Sequence, residues 1–119
     1  MGDFTLNVVP EMLTIDFLKK YKVNGAPDSI YHIPNYISAA EESDLIRRVD
    51  SSPLPKWTHL TNRRLQNWGG LPHPKGMIME QLPEWLSPYC DRISNCGIFD
   101  GPEGERRRAN HVLVNEYMR

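Results

Sequence analysis

An α+β fold is predicted by three features of this 119-residue sequence. One segment in the first half carries a complete helix-start signal. Two later segments alternate apolar and polar residues at strand period. Prolines and glycines separate the candidates, so every regular element is expected to be short.

In chain order, "PEMLTIDFLKKYKV" (residues 10–23) places Leu13, Phe17, Leu18 and Tyr21 at helical spacing, and Pro10 suits a first turn. "NGAPDS" breaks that helix, and "SIYHIP" reads as a short strand ended by Pro34. "ISAAEESDLIRRVDSS" is the clearest helix. Ser38 with Glu41 three residues later forms a capping box, and Leu45, Ile46 and Val49 give the apolar stripe. "KWTHLTNRRLQNW" predicts two strands around a tight polar turn near Thr61 and Asn62. "GGLPHPKG" is expected to lie outside regular structure, because glycine and proline dominate it. In "LPEWLSPYCDRISNCGIF", Pro88 would forfeit a hydrogen bond inside a helix. A turn at 83–86 is therefore expected, then a new helix with Ser87 as cap and Pro88 in first position. "NHVLVNEYMR" is β-rich, with Val112, Val114 and Glu116 on one face and Leu113, Asn115 and Tyr117 on the other.

Composition bounds the function. The length fits one domain, and mean hydropathy is negative. No apolar run approaches the roughly 20 residues of a bilayer span, and the first residues lack the pattern of a signal peptide. Cys90 and Cys96, six residues apart, would point to different faces of a helix and are expected to be reduced, which suits the cytoplasm or nucleus. Net charge is −1, yet the 29 residues between Asp50 and Glu80 contain no acid, while Lys56, Arg63, Arg64 and Lys75 lie among them with Trp57 and Trp68. Cations interleaved with aromatic rings suit a nucleic-acid surface. On composition alone a solvated loop neutralised by the rest of the fold suits them better.

No P-loop, dinucleotide fingerprint or nucleophile elbow is present. His32, His59, His73 and His111 do not fall at metal-ligand spacing, so no metal ligand is assigned.

The blocks "IYHIPNYISAAEESDLIRRVD", "KWTHLTNRRLQNWGGLPHPKGMI", "LPEWL" and "NHVLVNEY" resemble the AlkB-like iron(II)/2-oxoglutarate dioxygenases, closely the AlkB homologue six subfamily. The resemblance runs from about Ser29 to Tyr117, which makes residues 1–28 an N-terminal extension and 29–119 the N-terminal part of the dioxygenase domain. It implies the helices and first strands of a double-stranded β-helix, or jelly roll. It also implies oxidative demethylation of alkylated nucleic acid or protein with Fe(II) and 2-oxoglutarate. The family's Asn-x-Tyr pair, which binds 2-oxoglutarate, falls on Asn115 and Tyr117. The nucleotide-recognition lid falls on 61–70: Arg63 and Arg64 for phosphate, Gln66 and Asn67 for base edges, Trp68 for stacking, Gly69 and Gly70 for close approach. The implied partner is single-stranded or flipped-base nucleic acid, with a protein partner as a further option, no membrane, and a monomeric chain.

The family's His-x-Asp would follow the Asn-x-Tyr strand within about ten residues, and this sequence ends two residues after Tyr117. The expectation is thus a barrel left incomplete, no tight binding of Fe(II) or 2-oxoglutarate by this chain, and inactivity alone. A short isoform serving as a non-catalytic nucleic-acid or protein-interaction module is the alternative.

Overall fold

The capping box forms as the sequence predicts, in a computed structural model that describes residues 13–119. Ser38 Oγ accepts from the Glu41 N–H and Glu41 Oε1 accepts from the Ser38 N–H, both at 3.0 Å. They start helix α2 (Ala39–Asp50) by satisfying donors that the first turn leaves open. Leu45 and Val49 lie on its half-buried side, whereas Ile46 is exposed, so the stripe is narrower than expected.

Helix α1 (Ile15–Lys19) is shorter than the predicted 10–23, whose first three residues, Pro10 among them, lie outside the described residues. Thr14 caps it by accepting from the Phe17 N–H. The helix stops at Lys19 because the next residues pair elsewhere. Val23 N–H donates to Ile30 O at 2.7 Å and His32 N–H to Tyr21 O at 2.9 Å. The predicted strand at "SIYHIP" is thereby reduced to a bridge between Lys22 and Tyr31. Local periodicity favoured helix there, and non-local pairing prevailed.

A 3-10 turn at Leu54–Lys56 leads into β1 (Thr58–His59), which turns back into β2 (Arg63–Trp68) as predicted. Strand β2 is central: β1 pairs one edge and β5 (Val112–Tyr117) the other, both antiparallel. The β2–β5 register sets Arg63 opposite Tyr117, Leu65 opposite Asn115 and Trp68 opposite Val112. Directly opposed residues share a face. Arg63, Leu65, Asn67, Leu113, Asn115 and Tyr117 therefore occupy one side of the sheet, and Arg64, Gln66, Trp68, Val112, Val114 and Glu116 the other.

The segment expected to be wholly irregular after Trp68 contains β3 (Gly70–Leu71), which pairs with β4 (Ile78–Met79), two strands of two residues each on either side of the prolines. Pairing needs only backbone groups, which glycine supplies. Helix α3 (Ser87–Ser94) follows a turn in which Leu86 and Ser87 N–H groups both donate to Pro83 O. Its cap is Leu86, one residue before the predicted Ser87, and no side chain caps it.

Leu18, Trp57, Leu86 and Cys90 form the buried apolar set. Arg92 ties α3 to α2 through Glu41 Oε2 at 2.5 Å, with its guanidinium over the rings of Tyr36 and Tyr89. The basic insert is fastened to α3 by Ser94 Oγ, which accepts from the Ala109 N–H at 2.8 Å, and by an Arg108–Asp91 ion pair. Among the described residues the two sheets do not close into a barrel, and no helix is long and apolar enough to cross a membrane.

Candidate functional site: two faces of the β2–β5 sheet

Strand β2 carries most of the predicted site residues, and alternation along it divides them. On one face, Gln66 is fully buried. Its Nε2 donates to Val49 O at 3.1 Å, and its Oε1 accepts from Trp68 Nε1 at 2.9 Å. An amide engaged in this way braces α2 against the sheet. In this structure it presents no base-reading edge, which differs from the role the resemblance implies.

Trp68 packs edge-on to Trp85 at 5.1 Å between ring centroids, and Lys56 Nζ lies 4.2 Å from the Trp68 ring centroid. The ring is half-buried and already holds a cation, so a stacking base would have to displace Lys56. Arg64 lies over the Trp57 ring at 3.8 Å and donates from Nε to Glu116 Oε1 at 2.5 Å. That hydrogen bond holds the Glu116 carboxyl below its usual range. Cys90, on the buried side of α3, has its thiol pushed up by burial, and both cysteines are free thiols.

The other face is open. Asn115 and Tyr117 stand on it two residues apart, both exposed, with Tyr117 at 66%. Arg63 lies across from Tyr117, its guanidinium carbon 6.0 Å from the phenol ring centroid. Arg63 Nε is buried and has no hydrogen-bond partner among the described residues. Asn67 completes the face, its Oδ1 3.1 Å from His111 Nε2. With the amide oxygen as acceptor, the imidazole is the donor in this contact.

Gly69 and Gly70 have reasons internal to the fold. Gly69 sits at φ +91°, and a Cβ there would fall 2.1 Å from Asn110 O. One on Gly70 would meet Met77 Cγ at 2.7 Å. Neither glycine needs a substrate nearby to account for it.

The structure thus brings Asn115, Tyr117, Arg63 and Asn67 to one surface and sets Arg64, Gln66 and Trp68 behind it. Sequence reasoning missed Lys56 on Trp68, Glu116 on Arg64 and His111 on Asn67. All three depend on which segments the β1–β2–β5 pairing brings together, for which the sequence carries no local signal. It also missed the β3–β4 hairpin, in which Met77, Ile78 and Met79 are exposed, as are His73 and Lys75. Among the described residues no three His, Cys, Asp or Glu side chains come together as a metal-holding group.

No family model matches the chain. A protein of Danio rerio named as a probable RNA/DNA demethylase, ALKBH6, is 56% identical to it over 100 residues. Over that stretch the chain is AlkB-like. The aligned stretch makes up 84% of this chain and 41% of the relative, so the chain spans about two fifths of the relative's length. A mixed helix-and-sheet arrangement with small antiparallel sheets is compatible with part of an AlkB-like fold.

Proposed function

We propose that this chain contributes the substrate-recognition and 2-oxoglutarate-binding strands of an oxidative nucleic-acid demethylase. The observation that carries the reading is the β2–β5 pairing. It joins "RRLQNW" and "VLVNEY" in one sheet, and Asn115 and Tyr117 share its open face. The AlkB-like sequence of the relative supports it.

In this reading the sheet is one wall of a double-stranded β-helix. Asn115 donates its amide N–H and Tyr117 its phenol to a carboxylate of 2-oxoglutarate. The residues present fit that ligand, since the face pairs neutral donors with a cation and carries no carboxylate from β2 or β5. Among the described residues no three His, Cys, Asp or Glu side chains gather to hold iron. Where iron ligands are supplied, Fe(II) and O₂, with 2-oxoglutarate as the co-substrate oxidised alongside, would supply the oxidation of the alkyl carbon.

The nucleic-acid contact falls on the rim of the same sheet and the hairpin after it. Lys56 meets phosphate, joined by Arg64 once a phosphate displaces Glu116 from it, and Trp68 stacks on a base once Lys56 has moved off its ring. Gln66 braces this surface, and Gly69 and Gly70 set its turn. Methylated single-stranded oligonucleotides test the reading in a salt titration, where contacts to several phosphates make affinity fall steeply as salt rises. Binding that is insensitive to salt, or unchanged after Lys56→Ala, Arg64→Ala and Trp68→Ala together, would overturn it.

A further inference from the structure

Adjacent in sequence, Arg63 and Arg64 do not share an environment. Strand alternation sends them to opposite faces, and the register completes the separation: Arg64 opposes Glu116, and Arg63 opposes Tyr117. Arg64 is neutralised by Glu116 and covered by Trp57. Arg92 pairs with Glu41, Arg106 with Asp100, Arg107 with Glu105 and Arg108 with Asp91. Arg63 has no such carboxylate among the described residues. Its Nε is buried without a hydrogen-bond acceptor, and its guanidinium lies beside the Tyr117 ring. A guanidinium donor withdrawn from water and left unmatched is unfavourable, and a carboxylate answers its fork of N–H groups better than any neutral acceptor.

We infer that Arg63 belongs with Asn115 and Tyr117 in a single carboxylate-binding set, and that its ligand is a carboxylate of 2-oxoglutarate rather than a nucleic-acid phosphate. The inference rests on the reading that the Asn115–Tyr117 face takes that ligand. Three kinds of donor then converge: a cation from β2, an amide and a phenol from β5. Of the side chains that β2 and β5 place on this face, none is acidic, and the one carboxylate of β5, Glu116, points to the other side. The set therefore favours an anion. Its geometry selects a planar, bidentate carboxylate, which suits arginine and suits lysine poorly.

The test uses the whole chain with 2-oxoglutarate alone, titrated to millimolar concentration and followed by ligand-observed NMR. Arg63→Gln removes the charge, Asn115→Ala tests the face itself, and Arg106→Gln controls for net charge at a distance. Arg63→Gln is expected to weaken binding about tenfold or more, the effect of losing a charge-assisted contact, and Arg106→Gln to leave it within about twofold. In the wild-type chain the Arg63 side-chain Nε–H resonance should move as 2-oxoglutarate is added, which keeps the test decisive if Arg63→Gln fails to fold. Loss of binding in Asn115→Ala with unaltered binding in Arg63→Gln, or a stationary Arg63 Nε–H, would overturn the role of Arg63 and leave the Asn115–Tyr117 reading intact. Wild-type and Asn115→Ala chains that bind alike, or no binding at all, would overturn both.

Discussion

The two faces of the β2–β5 sheet are built from the same two strands, yet they differ in how their polar groups are matched. Behind the sheet, every polar side chain of β2 has a partner inside the molecule: Gln66 with Val49 and Trp68, Arg64 with Glu116. In front, Arg63 has none among the described residues, and Asn115 and Tyr117 stand exposed. Matched polar groups under packed rings hold a fold together. Unmatched donors gathered on an open face cost stability, and recognition of a ligand is what such a face offers in return. Alternation at period two is enough to place the two roles on neighbouring residues.

Mutation of the matched face should give the largest change in stability. Gln66→Ala removes a fully buried side chain and strips the Val49 carbonyl and the Trp68 indole N–H of their partner. A loss of about 2–4 kcal/mol is expected, read from urea unfolding. A loss under about 1 kcal/mol would mean that the two faces are not so distinct.

The Arg92–Glu41 tie comes next. Both side chains are partly buried, and Arg92→Met should cost about 1–2 kcal/mol in the same assay. This tie also sets a pH dependence. Burial works to raise the Glu41 carboxyl, but hydrogen bonds from the Ser38 N–H and from Arg92 outweigh it and hold the group below its ordinary value of 4.5. A carboxyl depressed in the folded state stabilises above its unfolded value, and that contribution is lost as pH falls through the folded one. Thermal stability should therefore drop below about pH 4.5, and Glu41→Gln should flatten that drop.

The smallest structural effects belong to the open face. Asn115→Ala and Tyr117→Phe should each change unfolding free energy by no more than about 0.5 kcal/mol, as exposed substitutions do. Their effect should appear instead in affinity for 2-oxoglutarate.

Elements governed by neighbours in the chain were legible in the sequence. The Ser38–Glu41 box acts across three residues, and the β1–β2 turn at Thr61 and Asn62 across two. The faces of β5 followed from alternation alone. What depended on distant partners was not legible. Tyr21 and Val23 fitted a helix until Ile30 and His32 claimed their backbone groups. A glutamine at position 66 looked like a reader of bases because nothing local announces that an amide will be sealed under Trp68. The division between Arg63 and Arg64 was implicit in the strand alternation, but its chemical meaning required the register that opposes one to Tyr117 and the other to Glu116.

The side-chain amide resonances of Gln66 and Asn115 test the division of the sheet most directly. Recorded by NMR during addition of 2-oxoglutarate, the Asn115 amide is predicted to shift progressively while the Gln66 amide stays in place and exchanges slowly with solvent. A Gln66 amide that shifts as much as Asn115, or an Asn115 amide that does not move, would contradict the assignment of 2-oxoglutarate to the open face and of a bracing role to Gln66.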